Sequence, residues 1–445
     1  KPLNKIDYDN VVKQLYMCGF TPENDEGINM LRIQNEFTDM KTGLRKMSNV
    51  RAEIIGLDLI QEYCRTNSLQ KIIDMPSTTS NKVKFTQKMG ATTRTGEFIR
   101  KVDVEDFNFR VAYQTEQDFH SQSNFSRKII DHWNDSLKIF RSMNRVRFRH
   151  PDFPVFADIT IVKTSKKVDK VVIPKYTIQE ADVFNNVESY EVELEVDNYR
   201  VGDGTNYNTL PKLMTALRKC IRIILSGIQC SKFPISYKEK TGILQSYMQL
   251  IHGVNEQQEH KYKITSSQFI GPSSLTLQME HIIDNTELNL TMPNIRNNYT
   301  VTDKADGDRK LLYINDIGKI YLIDTNMSVI FTGTKTTEKT IFNSLLDGEH
   351  IKHDKNGKFI NLYAAFDVYF IHEKSVRELP FVSSNTSNNE TEYRLPLLYK
   401  FIDVLKPISI LDSTANGEVK PSKNIIPCEF LVKSKSFYYE TENNS

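Results

Sequence analysis

Several things are scarce in this 445-residue chain, and each scarcity removes a class of protein. The five cysteines (Cys18, Cys64, Cys220, Cys230 and Cys428) are scattered and odd in number, with no CxxC pair. That excludes a disulfide framework or a cysteine-built zinc site and suits a reducing compartment. No apolar run approaches the roughly 20 residues that span a bilayer, and the stretch after Lys1 has no signal-peptide pattern. The expectation is a soluble, intracellular protein without membrane attachment. Net charge is also small, +2 from 58 basic and 56 acidic residues, so any site for a polyanion must be local. What remains is ordinary globular composition, 39% hydrophobic and 26% charged, long enough for two or three domains. Because the chain starts at Lys1 instead of Met, it is expected to be a piece of a longer protein.

The most specific stretch is YTVTDKADGDRKLL, Tyr299 to Leu312. A short β-favouring run delivers Lys304 to a turn at Asp306 and Gly307, and Arg309 leads into a second apolar run. A lysine at a strand-to-turn position beside an acid and an arginine suits covalent nucleotidyl transfer. Its amine attacks only when deprotonated, which a nearby positive charge or metal promotes.

Upstream, spacing predicts a helix over Asp9–Met17. Strands follow at LRIQNEF, carrying Glu36, and at MSNVRAEIIG, whose polar face carries Arg51 and Glu53. Two further strands are predicted at KVKFTQK and FNFRVAYQT, then helix over Ser126–Met143 around the only tryptophan, Trp133. In NRVRFRH, Arg145, Arg147 and Arg149 share one strand face, where like charges repel unless something anionic meets them. The strand FADITIVKTS carries Asp158 and Lys163, which point oppositely unless a bulge intervenes. YEVELEVDNYR alternates strictly, with Glu191, Glu193, Glu195 and Asp197 on one face. Four acids in a row call for a cation or basic partners. Glutamate oxygens holding a cation, opposite arginines holding phosphates, are what phosphate-anhydride hydrolysis needs.

Thr209 and Pro211 open a helix that Gly227 is expected to end, and Ile243–Ile251 forms another. The polar run Val254–Lys263 marks the expected boundary: a first domain over 1–253, a linker and lead-in over 254–298, and a second domain over 299–445. The second domain should contain an antiparallel meander (KLLYIN, KIYLID, SVIFTG), then LLDGEHIK and KFINLYAAFDVYFI, the latter entered through the Asn356-Gly357 hairpin signal. A polar loop at Ser383–Glu392 and a helix through Leu398, Phe401 and Leu405 follow.

KADGDR, LLDGEH and AAFDVYF together resemble motifs I, III and IIIa of the covalent nucleotidyltransferases, the superfamily of mRNA capping guanylyltransferases and polynucleotide ligases. The resemblance is greatest to capping enzymes of large nucleocytoplasmic DNA viruses. It implies that Lys304 attacks the α-phosphorus of GTP to form lysyl-GMP. It also implies that Arg309 and Glu349 contact the ribose, that Phe366 stacks on guanine, and that Asp306, Gly307 and Asp367 help hold the site. YEVELEVD resembles the glutamate strand of triphosphate tunnel metalloenzymes, the RNA triphosphatase domain that precedes guanylyltransferase in such viral proteins. By that likeness Glu191, Glu193 and Glu195 are catalytic and hold Mg²⁺ or Mn²⁺ together with Glu53. Arg145, Arg147, Arg149 and Lys163 bind phosphate.

Two departures accompany this resemblance. The family's first strand carries ExE, whereas here Arg51-Ala52-Glu53 is one glutamate short, with Glu36 in reserve. After Gly348 no Asp-Gly occurs, so Lys433-Ser434-Lys435 reads as a surface strand, and the later motifs are expected beyond Ser445. The implied architecture is α+β: an antiparallel β-tunnel followed by a partial nucleotidyltransferase domain, with weak or absent guanylylation by these residues alone. Implied partners are 5′-triphosphate RNA, GTP and a methyltransferase domain or subunit, and the implied location is the cytoplasmic viral factory or the virion. An ATP-dependent polynucleotide ligase or RNA-repair enzyme shares KxDG, and a non-catalytic RNA-binding or scaffold subunit could keep the fold.

Overall fold

In the computed structural model the described residues are 2–39, 42–75, 83–169, 171–253, 264–283, 294–296, 299–382, 392–411 and 429–439. The chain divides into two compact units, Lys1–Cys230 and Ser231–Ser445. Among the described residues, no helix is long and apolar enough to cross a membrane. The polar run 254–263, nearly all of the expected polar loop at 383–392, and Cys428 lie outside the described residues.

The first unit is built on an eight-stranded antiparallel sheet. Its main strands are β1 (Ile28–Thr38), β2 (Arg45–Ile55), β3 (Val83–Gly90), β4 (Gln114–Phe119), β5 (Lys138–Arg149), β6 (Val155–Thr164) and β7 (Ser189–Val196). They lie in the order β7-β6-β5-β1-β2-β3-β4, and a two-residue strand at Thr21–Pro22 pairs with the end of β5. One face buries apolar side chains, among them Leu31, Ile33, Ala52, Phe85 and Phe140. Each large aliphatic or aromatic side chain removed from water there contributes about 1.5–3 kcal/mol.

Helix α1 (Lys5–Met17) begins at Asn4 with a capping box closed by Asp7, and it packs on α2 (Leu210–Gln229). Gly227 does not end α2, contrary to expectation. Cys230 does so in a left-handed conformation, and Gly227 instead sits where a Cβ would lie 2.8 Å from Val11 Cα. The glycine permits the close helix crossing.

The helix expected over Ser126–Met143 is corrected. A short helix covers Asn124–Asp131, and Lys138–Arg149 is strand β5. Ile139, Phe140 and Met143 have helical spacing, but β1 and β6 both offer backbone partners along β5, and sheet pairing wins. Trp133 follows the short helix in a turn and donates its indole N–H to the Tyr63 hydroxyl at 3.2 Å. The expected strand FNFRVAYQT is likewise interrupted, as Phe109–Val111 and then β4.

The second unit begins earlier than the expected boundary, because helix α3 (Tyr237–His252) belongs to it. Its Ile243, Tyr247 and Met248 pack against Tyr313, Tyr321 and Phe331 of the second unit's sheet. That sheet contains β8 (Asp308–Ile314), β9 (Lys319–Asp324), β10 (Val329–Lys335), β11 (Ser344–His353) and β12 (Phe359–Ile371), in the order β12-β11-β8-β9-β10. Helix α4 (Arg394–Val404) covers the other face, joining Leu395, Leu398 and Phe401 to Leu312, Ile314 and Leu346. With both faces covered, β8 reads as a continuous apolar run without alternation. The hairpin at Asn356-Gly357 is present, Gly357 taking φ +78°.

The strand expected at KxK is present as β13 (Leu431–Ser434), with Lys433 exposed. It pairs in parallel with β12, setting Lys433 opposite Ala364, and the Lys435 N–H donates to the Ala365 carbonyl at 2.8 Å. The Lys435 side chain is 11% exposed.

Candidate functional sites

In the second unit, Lys304 lies in an extended stretch before β8 and is exposed, as are Asp306 and Gly307. Gly307 is required by close approach: a Cβ there would lie 2.9 Å from Ile351 Cγ1 and 3.0 Å from the His350 carbonyl oxygen. Register then brings three of the expected residues onto adjoining strands. Arg309 of β8 pairs with Glu349 of β11, and Glu349 pairs with Ala364 of β12, beside the irregularity that contains Phe366.

Arg309 is held by the protein at each of its three guanidinium nitrogens. Its Nε donates to Asp347 Oδ1 at 3.1 Å, its Nη2 donates to the other carboxylate oxygen, and its Nη1 donates at 2.5 Å to the carbonyl of Pro272. Asp347 is wholly buried and also accepts from the Tyr369 hydroxyl at 2.7 Å. The hydrogen bond to Asp347 raises the Arg309 pKa, while burial raises that of Tyr369, with Asp347 adding to it. Arg309 therefore fastens β8 to β11, and its guanidinium is 5.5 Å from the Phe269 ring centre and 5.7 Å from that of Phe366.

Asp367 sits in a second lock, with Arg394 of α4 donating to Oδ1 at 2.9 Å and to Oδ2 at 3.2 Å. Burial nonetheless raises the Asp367 pKa, against the pull of Arg394. Lys435 Nζ is 3.9 Å from Glu349 Oε1 and 5.8 Å from the Phe366 ring centre. Glu349 Oε2 is buried with no hydrogen-bond partner among the described residues. Asp347, Arg394 and Lys435 were not singled out from sequence as parts of this site.

In the first unit, acids and bases meet across strands on one sheet face. Glu193 pairs with Asp158 of β6, which pairs with Arg147 of β5; Glu191 is linked through Thr160 to Arg145 in the same way. Arg145 is 3.1 Å from Glu193, Arg147 is 2.8 Å from Glu195, and Arg141 reaches Glu191 at 2.8 Å. Arg147 also grips the buried Asp158 with two hydrogen bonds of 2.7 Å, which raise its pKa. Arg149 is held by Glu23.

Glu53 accepts from Arg32 Nε at 2.8 Å and has Arg51 Nε at 2.8 Å. Glu36 lies 3.7 Å from Arg45. Lys163 does not join the arginines: the register of β6 is unbroken, so it points to the face opposite Asp158, and its Nζ donates to the Phe184 carbonyl at 3.0 Å. Arg32 was missed from sequence because it stands alone on its strand, and Arg141 because it fell in the stretch expected to be helix, although it shares β5 and its face with Arg145, Arg147 and Arg149.

The expected cation was tested against this donor set. Among the described residues, no three His, Cys, Asp or Glu side chains gather to hold a metal. Each expected ligand instead has an arginine against its carboxylate, which repels a cation. The residues as arranged do not fit a protein-held divalent ion.

In the second unit an exposed lysine thus precedes an Asp-Gly turn, with an acid and an aromatic on adjoining strands. A family model described as mRNA capping enzyme, catalytic domain, matches residues 238–391. Over 217 residues the chain is 31% identical to a probable mRNA-capping enzyme of Acanthamoeba polyphaga mimivirus, an alignment covering 48% of this chain and 14% of that protein. A solved mimivirus capping enzyme triphosphatase aligns with a TM-score of 0.32 and 16% identity, covering 50% of this chain and 86% of the other, a likeness too low to carry an argument. The resemblance to viral mRNA capping enzymes is borne out. The matched segment spans only a small part of the mimivirus relative.

Proposed function

We propose that the chain acts in mRNA 5′-capping, with the second unit transferring GMP through Lys304. The Lys304 amine attacks the α-phosphorus of GTP, the bond to pyrophosphate breaks, and the amine's proton passes to solvent. A terminal oxygen of the RNA 5′-diphosphate then attacks the same phosphorus, and the P–N bond breaks as the lysine regains a proton. The observation that carries this reading is KADGDR feeding β8, whose register sets Arg309 opposite Glu349 and beside Phe366.

In this scheme Glu349 and Phe366 bind ribose and base, while Arg309, through Asp347, fixes the strand that presents them. Mg²⁺ or Mn²⁺ is proposed to arrive on the phosphates of GTP, which needs no all-protein cage. The first unit is proposed to receive the RNA 5′-triphosphate on its arginine face, within a tunnel-like sheet. Hydrolysis of the γ-phosphate is the family expectation for it, but its donor set does not fit the required cation, so no hydrolytic step is derived.

The test is competition: the complete protein is incubated with labelled GTP or labelled ATP and its bound label counted. Label from GTP in excess over ATP is expected. Label from ATP alone would establish a ligase-type enzyme instead.

A further inference from the structure

We infer that the first unit binds the polyphosphate of an RNA 5′ end as a free anion, through Arg32, Arg51, Arg141, Arg145 and Arg147, without a divalent cation. This rests on the capping reading above and concerns the face for which a metal was expected.

Three observations carry it. Arg141 and Arg32 stand directly opposite each other in the β5–β1 register, and Arg32 stands opposite Glu53. Like charges facing across strands are unfavourable, and the side chains of Arg32 and Arg51 are only 17% and 13% exposed, where water screens poorly. Second, the Nε donor of Arg141 is buried and has no hydrogen-bond acceptor among the described residues, its guanidinium reaching Glu191 through Nη2. A buried donor without a partner is costly, and phosphate oxygens would satisfy it.

Third, the carboxylates on this face are unequal. Glu53 and Asp158 are buried between arginine pairs, whereas the side chains of Glu193 and Glu195 are 56% and 59% exposed. Exposed ion pairs are weak and exchange readily, so Glu193 and Glu195 can give up Arg145 and Arg147 to an incoming phosphate. On this account the two glutamates compete with the anion; as metal ligands they would assist it.

Inorganic tripolyphosphate titrated calorimetrically into the complete protein separates the two. Binding in EDTA is expected to be at least as tight as binding in Mn²⁺, which chelates tripolyphosphate and lowers the free anion. Arg145→Gln should weaken it about tenfold, as loss of a charge-assisted contact does. Glu193→Gln should strengthen it, and so should Glu195→Gln. Circular dichroism of each variant checks that it is folded.

Binding that needs Mn²⁺, or that Glu193→Gln weakens, would overturn the inference. So would binding indifferent to both Arg145→Gln and Arg147→Gln, which would place the anion elsewhere. No binding in either buffer, with GTP still labelling Lys304, would overturn it while leaving the capping reading standing. Loss of that labelling in the unaltered protein would defeat the capping reading itself.

Discussion

Both units bury arginine–carboxylate pairs, but the first sets exposed pairs beside its buried Asp158. In the second unit the acid is the buried partner: Asp347 has no exposed surface and Asp367 is 15% exposed, and each is gripped by one arginine through two hydrogen bonds. Such pairs are mechanical, fixing β8 to β11 and the irregular β12 to α4. In the first unit Glu193 and Glu195 lie outward and hold arginines through single contacts. A site that must keep its shape buries its acid, and one that must exchange partners leaves it wet.

Breaking the buried kind should cost most. Asp347→Ala strands Arg309 and the Tyr369 hydroxyl and should destabilise the second unit by about 3–5 kcal/mol in urea unfolding. An effect below about 1 kcal/mol would show the lock to be dispensable.

One buried charge in the first unit sharpens the contrast. Lys138 is 1% exposed, donates to the carbonyls of Ser136 and Tyr176, and has its pKa pushed down to about 8, chiefly by burial. Below that value both folded and unfolded chains hold the proton, and the burial penalty is present in full. As pH rises from about 8 towards 10.5, the folded form releases the proton first, so stability should rise. Relative to Lys138→Met, the gain should be on the order of 2–3 kcal/mol, read from melts across that range. A flat difference would contradict it.

Arg394→Met, which leaves Asp367 without its arginine, should cost about 2 kcal/mol, less than the Asp347 change because Asp367 keeps some exposure. It should also raise the KM for GTP more than it lowers kcat, if its role is to present Phe366. Glu195→Gln should change stability by less than about 1 kcal/mol. A larger loss would mean that the outward pairs are structural after all.

Much of this was legible in the sequence where one segment carries its own signal. The strict alternation of YEVELEVD gave β7, and KADGDR, LLDGEH and AAFDVYF mark β8, β11 and β12. What was not legible depends on partners far apart in the chain. Arg394 lies 27 residues from Asp367, and Arg141 lies 50 from Glu191. Nothing local distinguishes them from surface arginines. The strand at Lys138–Arg149 was obscured for the same reason, its apolar spacing being compatible with a helix until both neighbouring strands are in place. The early start of the second unit rests on the packing of Tyr247 against the sheet, which a polar run seven residues later does not reveal.

The central claim is that Lys304 carries the nucleotide. Its most direct test is peptide mapping by mass spectrometry of the complete protein after incubation with GTP, beside a Lys304→Arg variant. The account predicts an acid-labile GMP adduct on the peptide containing Lys304, and none in the variant. An adduct on another lysine, or one that persists in Lys304→Arg, would contradict it.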